Sequence, residues 1–321
     1  MNADPNRLLV VVDPTAEAQP AVQRAAWLAP QLDAKVELFI CYYDAYVAGE
    51  RFYDSPGLVQ TRRDILDTLG ARLESLADPL RKAGLEVGTD LRWDKPLHEG
   101  IVRKALDCGA TMVLKDTHHH HALKRSVFSN TDWNLLRTCP VPLWLVKPRN
   151  IAGKLTIAAA VDPLNTHGKP ETLDQAILAI ARRLQSATGG DLHVIHSFDP
   201  MPAIAGAAPG VATPISVPAD DISEELERHH KKALDALIYG QDVDDAHVHL
   251  LRGPARQVVP DYATEAGVDV MVMGSVARGA LRRAFLGSTA EQVLDQLPCD
   301  VLAIKPEGFE TPVSREERAD G

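Results

Sequence analysis

The chain repeats itself. Val12-Asp13-Pro14 returns 149 positions later as Val161-Asp162-Pro163, and Lys147-Pro148 returns 158 positions later as Lys305-Pro306. Carrying the 158 step inward sets Pro96 on Pro254, Gly109 on Gly267 and Pro140 on Pro298 without a gap. A duplication of this length constrains the fold strongly, because a unit of roughly 150 residues buries its own core and both copies must form the same one. The seam falls near 150, which predicts one domain over 1–150 and a second over 151–306. The remainder, 307–321, is charged and aperiodic and predicts a solvated end without fixed structure.

Each copy alternates short β-rich runs with helical stripes. In the second copy, strands are predicted over 155–161, 192–198, 247–251, 268–273 and 301–305. Leu173, Ala176, Ile177, Ile180, Ala181 and Leu184 share one helix face; Ile222, Leu226, His230, Ala233, Leu234 and Leu237 share another. A further helix carries Val259, Tyr262, Ala263 and Ala266. Strands near 7–12, 35–41, 87–92, 111–115 and 143–147 repeat the pattern in the first copy. Strands separated by helices predict an α/β fold, with a five-stranded parallel sheet in each half and helices on both faces. Between strand and helix lies 201–218, whose four prolines argue against a helix. It is either an apolar flap over a ligand crevice or a plain connector.

Charge and composition exclude several functions. The 34 basic against 44 acidic side chains leave a formal net charge of −10, which opposes binding to a nucleic-acid backbone. No apolar run reaches the ~18 residues of a membrane span, and the start of the chain lacks a basic leader, which points to the cytoplasm. Cys41, Cys108, Cys139 and Cys299 have no CxxC spacing and no matching positions between copies, so they read as separate thiols. The tract His118 to His121 has no framing ligand and reads as exposed loop residues, with no metal assigned. Of His229 and His230, one is expected to face solvent and the other the edge of the apolar stripe. Trp133 and Trp144 read as packing residues, since no basic groove accompanies them.

Only the second copy keeps residues suited to an anion. Gly274 directly follows a predicted strand, and Gly287-Ser288-Thr289 precedes a predicted helix. Glycines let backbone N–H groups approach phosphate oxygens, and a helix start supplies unsatisfied donors and partial positive charge. Ser288 and Glu291 have capping-box spacing, and Arg278, Arg282 and Arg283 add charge nearby. The same glycines would also serve turn geometry alone, and these residues by themselves leave both readings open. No GxxxxGK[ST], GxSxG or HExxH occurs. In the first copy the same register places Asp116 on Gly274 and Ser129 on Gly287, a pairing hostile to phosphate.

Gly274, two residues, Ala277, nine residues, then Gly287-Ser288 resembles the Gly-x2-Gly-x9-Gly-Ser/Thr signature of universal stress proteins. Ala284-Phe285-Leu286-Gly287, Thr289-Ala290-Glu291-Gln292-Val293, Thr131-Asp132-Trp133 and Thr311-Pro312-Val313 extend the similarity over essentially the whole chain. The resemblance implies two tandem domains of the adenine nucleotide alpha hydrolase-like fold, packed as an internal pseudo-dimer, with a homodimer left open. It implies that ATP or a related nucleotide binds in the second domain only. Asp162 would lie by the adenosine, Met273 and Gly274 by the ribose and phosphates, and Ala277, Gly287, Ser288 and Thr289 around the phosphates. Ala277 departs from the signature; where that position requires φ > 0, its Cβ costs about 1–2 kcal/mol and weakens binding. Members of the family are associated with survival of starvation, DNA damage and oxidative stress, which implies a regulator with a protein partner, not a dedicated enzyme, with ATP hydrolysis at most weak. The alternative is a nucleotide-independent scaffold or carrier, holding an apolar ligand in a cavity of the second domain.

Overall fold

Strand interiors buried from both sides dictate the architecture. Leu8, Leu9, Val10, Val113 and Leu114 in the first half, and Ile157, Ala158, Val270, Met271 and Val272 in the second, are at most 1% exposed. A strand apolar on both faces requires helices above and below it. The computed structural model describes residues 6–48, 56–120, 125–151, 153–164, 172–206, 219–241, 243–275 and 288–315, which form two units, Met1–Gly153 with Gly308–Gly321, and Lys154–Glu307.

In the first unit the order is β1 (Asn6–Val11), α1 (Pro20–Leu32), β2 (Ala34–Tyr42), α2 (Pro56–Lys82), β3 (Val87–Trp93), α3 (Leu97–Asp107), β4 (Met112–Asp116), the short strands β5 (His118–His120) and β6 (Arg125–Val127), α4 (Asn130–Thr138) and β7 (Leu143–Val146). The main strands are parallel, in the order β3-β2-β1-β4-β7. In the second unit β8 (Thr156–Ala160), α5 (Thr172–Thr188), β9 (Asp191–Phe198), α6 (Met201–Gly206), α7 (Ala219–Ile238), β10 (Val248–Arg252), α8 (Ala255–Glu265), β11 (Val270–Gly274), α9 (Ser288–Gln296) and β12 (Asp300–Ile304) follow. Their sheet runs β10-β9-β8-β11-β12, again parallel. Each half is therefore doubly wound, with its switch point beside its first strand, where ligands of such sheets bind.

The repeat is visible bond by bond. Thr117 N–H donates to the Val146 carbonyl at 2.9 Å, and Ser275 N–H to the Ile304 carbonyl at 2.8 Å, the same pair 158 positions apart. Gly109 and Gly267 both sit at φ +62° just past α3 and α8, a left-handed helix stop that a Cβ would strain.

Three expectations change. The prolines of 201–218 do not keep all of that segment from being helical: Met201–Gly206 forms α6. Pro202 is its second residue, where no N–H is needed, and the Asp199 carboxylate accepts from Met201 N–H at 3.0 Å. The rest of that segment, 207–218, lies outside the described residues. The histidine tract is not a plain loop, since His118–His120 pairs antiparallel with Arg125–Val127; His121 is outside the described residues. Residues 308–315 are anchored in the first unit, where the Thr311 hydroxyl donates to the Thr138 carbonyl at 2.6 Å and Val313 is buried; 316–321 lie outside the described residues.

The two halves solve one packing problem with different chemistry. In β2, Glu37 accepts from Lys104 of α3 at 2.6 Å, and Lys104 also pairs with Asp90 of β3 at 2.9 Å. The strand registers place His193 and His249 where Glu37 and Asp90 stand, and Tyr262 lies 158 positions after Lys104. There the Tyr262 hydroxyl lies 2.9 Å from His193 Nδ1, itself 3.1 Å from His249 Nε2. An ion-paired trio has become an uncharged one. Trp144 is fully buried in β7, and Trp133 packs with its ring 5.1 Å from Phe128. All four cysteines are free thiols. Among the described residues no helix is long and apolar enough to cross a membrane.

Candidate functional site

At the second switch point, Val161-Asp162 follows β8, and β11 ends at Gly274, followed by Ser275. Val161 N–H still bonds the Ile195 carbonyl at 3.0 Å, so the ladder continues to the residue before Asp162. Asp162 N–H then donates to Asp174 of α5, at 3.1 Å; Asp174 is buried. Gln19 does this work in the first half, accepting from Asp13 N–H at 3.2 Å and donating to the Asp13 and Ala16 carbonyls at 2.7 and 2.8 Å. Both aspartates thus leave their strands on a backbone held from the start of the next helix, by its N-cap Gln19 in the first half and by Asp174 of its first turn in the second.

Gly274 is bare for a reason visible in the packing. A Cβ built there would lie 2.6 Å from Leu173 Cδ2 and 3.1 Å from Leu173 Cγ, closer than carbon atoms tolerate. Leu173 is the second residue of α5. The second residue of α1 is Ala21, small enough to admit Asp116, whose Oδ1 accepts from Ala21 N–H at 2.6 Å. The second half pairs glycine with leucine where the first pairs aspartate with alanine. Next to Gly274, Ser275 is buried, and the Lys305 ammonium donates to its carbonyl at 2.8 Å, placing a positive charge at the start of the loop. Met273 is half-buried. Ala277 and Gly287 lie outside the described residues. Ser288 and Thr289 open α9, whose first amides have no partner within the helix.

A buried histidine pair beside Asp162 was not anticipated. His196 Nδ1 lies 3.0 Å from the Val161 carbonyl, and His196 Nε2 lies 2.7 Å from His230 Nδ1. A carbonyl only accepts, so His196 carries its proton on Nδ1 and its Nε2 accepts from His230. Burial first, then His196 and His229, hold His230 below the ordinary histidine range, with Asp162 pulling the other way. His229 faces solvent and His230 is buried, as the stripe predicts. The signal for His196 was available: it interrupts an apolar strand where the first half has Ile40.

The first switch point closes its own anion positions. Besides the Asp116 bond to α1, Ser129 and Asp132 form a capping box on α4, with Ser129 N–H donating to Asp132 at 2.7 Å and Asp132 N–H donating to Ser129 Oγ at 3.2 Å. Asp132 is fully buried and pairs with Lys115 at 2.8 Å. Both helix starts facing this site are thus satisfied by carboxylates of the chain itself. Among the described residues no group of three histidine, cysteine or carboxylate side chains is placed to hold a metal.

Comparison with known proteins agrees with this duplicated architecture. The model of the universal stress protein family matches twice, over residues 5–147 and 156–305. Universal stress protein E of Escherichia coli K12 is 29% identical over 321 residues, covering 98% of each chain, and that of Salmonella typhi is 30% identical with the same coverage. Among solved structures, a protein of unknown function from Pseudomonas aeruginosa PAO1 superposes with a TM-score of 0.71 at 27% identity, covering 94% of this chain and 93% of that one.

Proposed function

The chain belongs to the universal stress protein family, and from that premise we propose that it is a stress-response protein whose second half binds ATP or a related nucleotide. The observation that carries the reading is the contrast between the two switch points. In the first, carboxylates of the chain occupy the helix starts. In the second, the strand ends at Gly274 without a side chain, and the chain re-enters a helix at Ser288. Amides at a helix start beside a glycine-bearing segment favour an anion. The adenosine would lie toward Asp162, the ribose and first phosphates at Met273 and Gly274, and the outer phosphates at Ala277, Gly287, Ser288 and Thr289.

Equilibrium dialysis of the full chain with labelled ATP tests this. Wild type should bind saturably and Gly287→Arg should not; saturable binding that survives Gly287→Arg contradicts the site. Survival of a deletion strain after DNA damage, complemented by wild type but not by that variant, would tie the site to the stress response. No general base stands assigned beside the loop, so Asp162→Asn should leave any slow phosphate release unchanged. A large loss of turnover in Asp162→Asn would contradict that assignment.

A further inference from the structure

At the carboxyl ends of β1 and β4 the first half holds a half-open cavity of about 290 Å³, just under the roughly 300–1,000 Å³ typical of small-molecule sites. Val11, Val12, Leu97 and Ile101 give it apolar walls, and Tyr42 and Tyr43 give it aromatic ones. The tyrosine rings have aromatic and cationic neighbours. The Trp93 ring lies 5.6 Å from Tyr42 and 5.7 Å from Tyr43, Arg62 sits 4.6 Å over Trp93, and the Lys95 ammonium sits 4.9 Å over Tyr43. Rings already held by such neighbours lose little freedom when a ligand arrives.

The polar groups of this cavity oppose an anion. Asp13 and Asp116 line it, and so does Lys115. The Lys115 ammonium is engaged by the buried Asp132 at 2.8 Å and by the Asp116 carbonyl at 3.0 Å. The amides at the starts of α1 and α4 are taken by Asp116 and by the Ser129–Asp132 box. Cys41 also lines the cavity, but burial, with Asp94 adding to it, pushes its thiol up to about 12. It is an apolar wall at neutral pH, not a nucleophile.

We propose that the first-half cavity is a binding site for a compact, ring-bearing small molecule that carries no negative charge, distinct from the nucleotide site of the second half. Isothermal titration of the full chain with naphthalenemethanol and with naphthoate tests it, because the two share a ring system and differ in charge. The alcohol should bind at one site, naphthoate at least about tenfold more weakly, and saturating ATP should displace neither. Leu97→Trp, at a position 37% exposed, and Ile101→Trp both fill the cavity and should each weaken the alcohol about tenfold or more. The exposed position should leave the melting temperature unchanged, so that loss of binding is not loss of fold. Asp116→Asn keeps an oxygen for Ala21 N–H while removing the charge, and should raise naphthoate affinity severalfold with little effect on the alcohol. Absence of binding by the alcohol, equal affinity for the two compounds, displacement by ATP, or unchanged binding in both tryptophan variants would overturn the proposal.

Discussion

The glycine at the end of β11 offers a sharp test of what that residue is for. Gly274→Ala puts a methyl 2.6 Å from Leu173 Cδ2, and overpacking of this kind costs about 1–3 kcal/mol. Leu173 is 1% exposed, so Leu173→Ala alone leaves a cavity and costs about 2–5 kcal/mol. In the double variant the new methyl enters space that the leucine vacated, and the overpacking disappears. The pair should therefore be less destabilised than the sum of the singles by about 1–3 kcal/mol, the relation already realised in the first half by Ala21 and Asp116. Because a chain of two units need not unfold in one step, the assay is hydrogen exchange at amides of β8 and β11 under increasing urea, which reports opening of the second half. A double variant whose cost equals the sum within about 0.5 kcal/mol would refute the packing argument. The same reasoning explains why loss of ATP binding in Gly274→Ala would not by itself prove backbone contact with phosphate, and why the nucleotide test rests on Gly287.

Three further outcomes follow from the structure. Arg103 is 1% exposed and grips Asp94 at 2.9 and 2.8 Å with Glu99 at 3.2 Å, so Asp94→Ala should cost about 3–5 kcal/mol in denaturant titration; a loss below about 1 kcal/mol contradicts a buried pair. Burial holds His193, His249 and His230 below their ordinary 6.5, helped by neighbouring histidines and opposed at His193 by Asp191 and at His230 by Asp162. The folded second half then binds fewer protons than the unfolded chain, so stability is full above 6.5 and is lost as pH falls from there; a melting temperature of that half that stays flat from about pH 7.5 to about pH 5 would exclude this. A thiol reagent at mildly alkaline pH should modify half-buried Cys108 well before Cys41, whose thiol sits at about 12; equal rates in the native protein would count against the burial argument.

Much of the architecture was legible because it depends on periodic burial. Every main strand appears within a few residues of its predicted place, since a parallel sheet covered on both faces writes itself as a continuous apolar run. The helix stripe of Leu173, Ile177, Ala181 and Leu184 is buried for the same reason. Local backbone chemistry was less legible. Pro202 breaks no helix because it stands where a helix begins, and the prolines alone do not say where that beginning lies. His196 and His230 are 34 positions apart, and only folding brings their rings within a hydrogen bond.

What the residue order determined was the duplication and its asymmetry: the 158 step aligns Asp116 with Gly274 and Ser129 with Gly287, and like charge opposes phosphate whatever the details. What only tertiary structure decided is how each copy uses that difference. Asp116 reaches the start of α1 and Asp132 caps α4, while the cavity at the carboxyl ends of β1 and β4 combines apolar and tyrosine walls with the carboxylates of Asp13 and Asp116. The physical reason is that hydrogen-bond satisfaction and empty volume depend on distances between residues far apart in the chain, which a pattern of types and spacings does not contain.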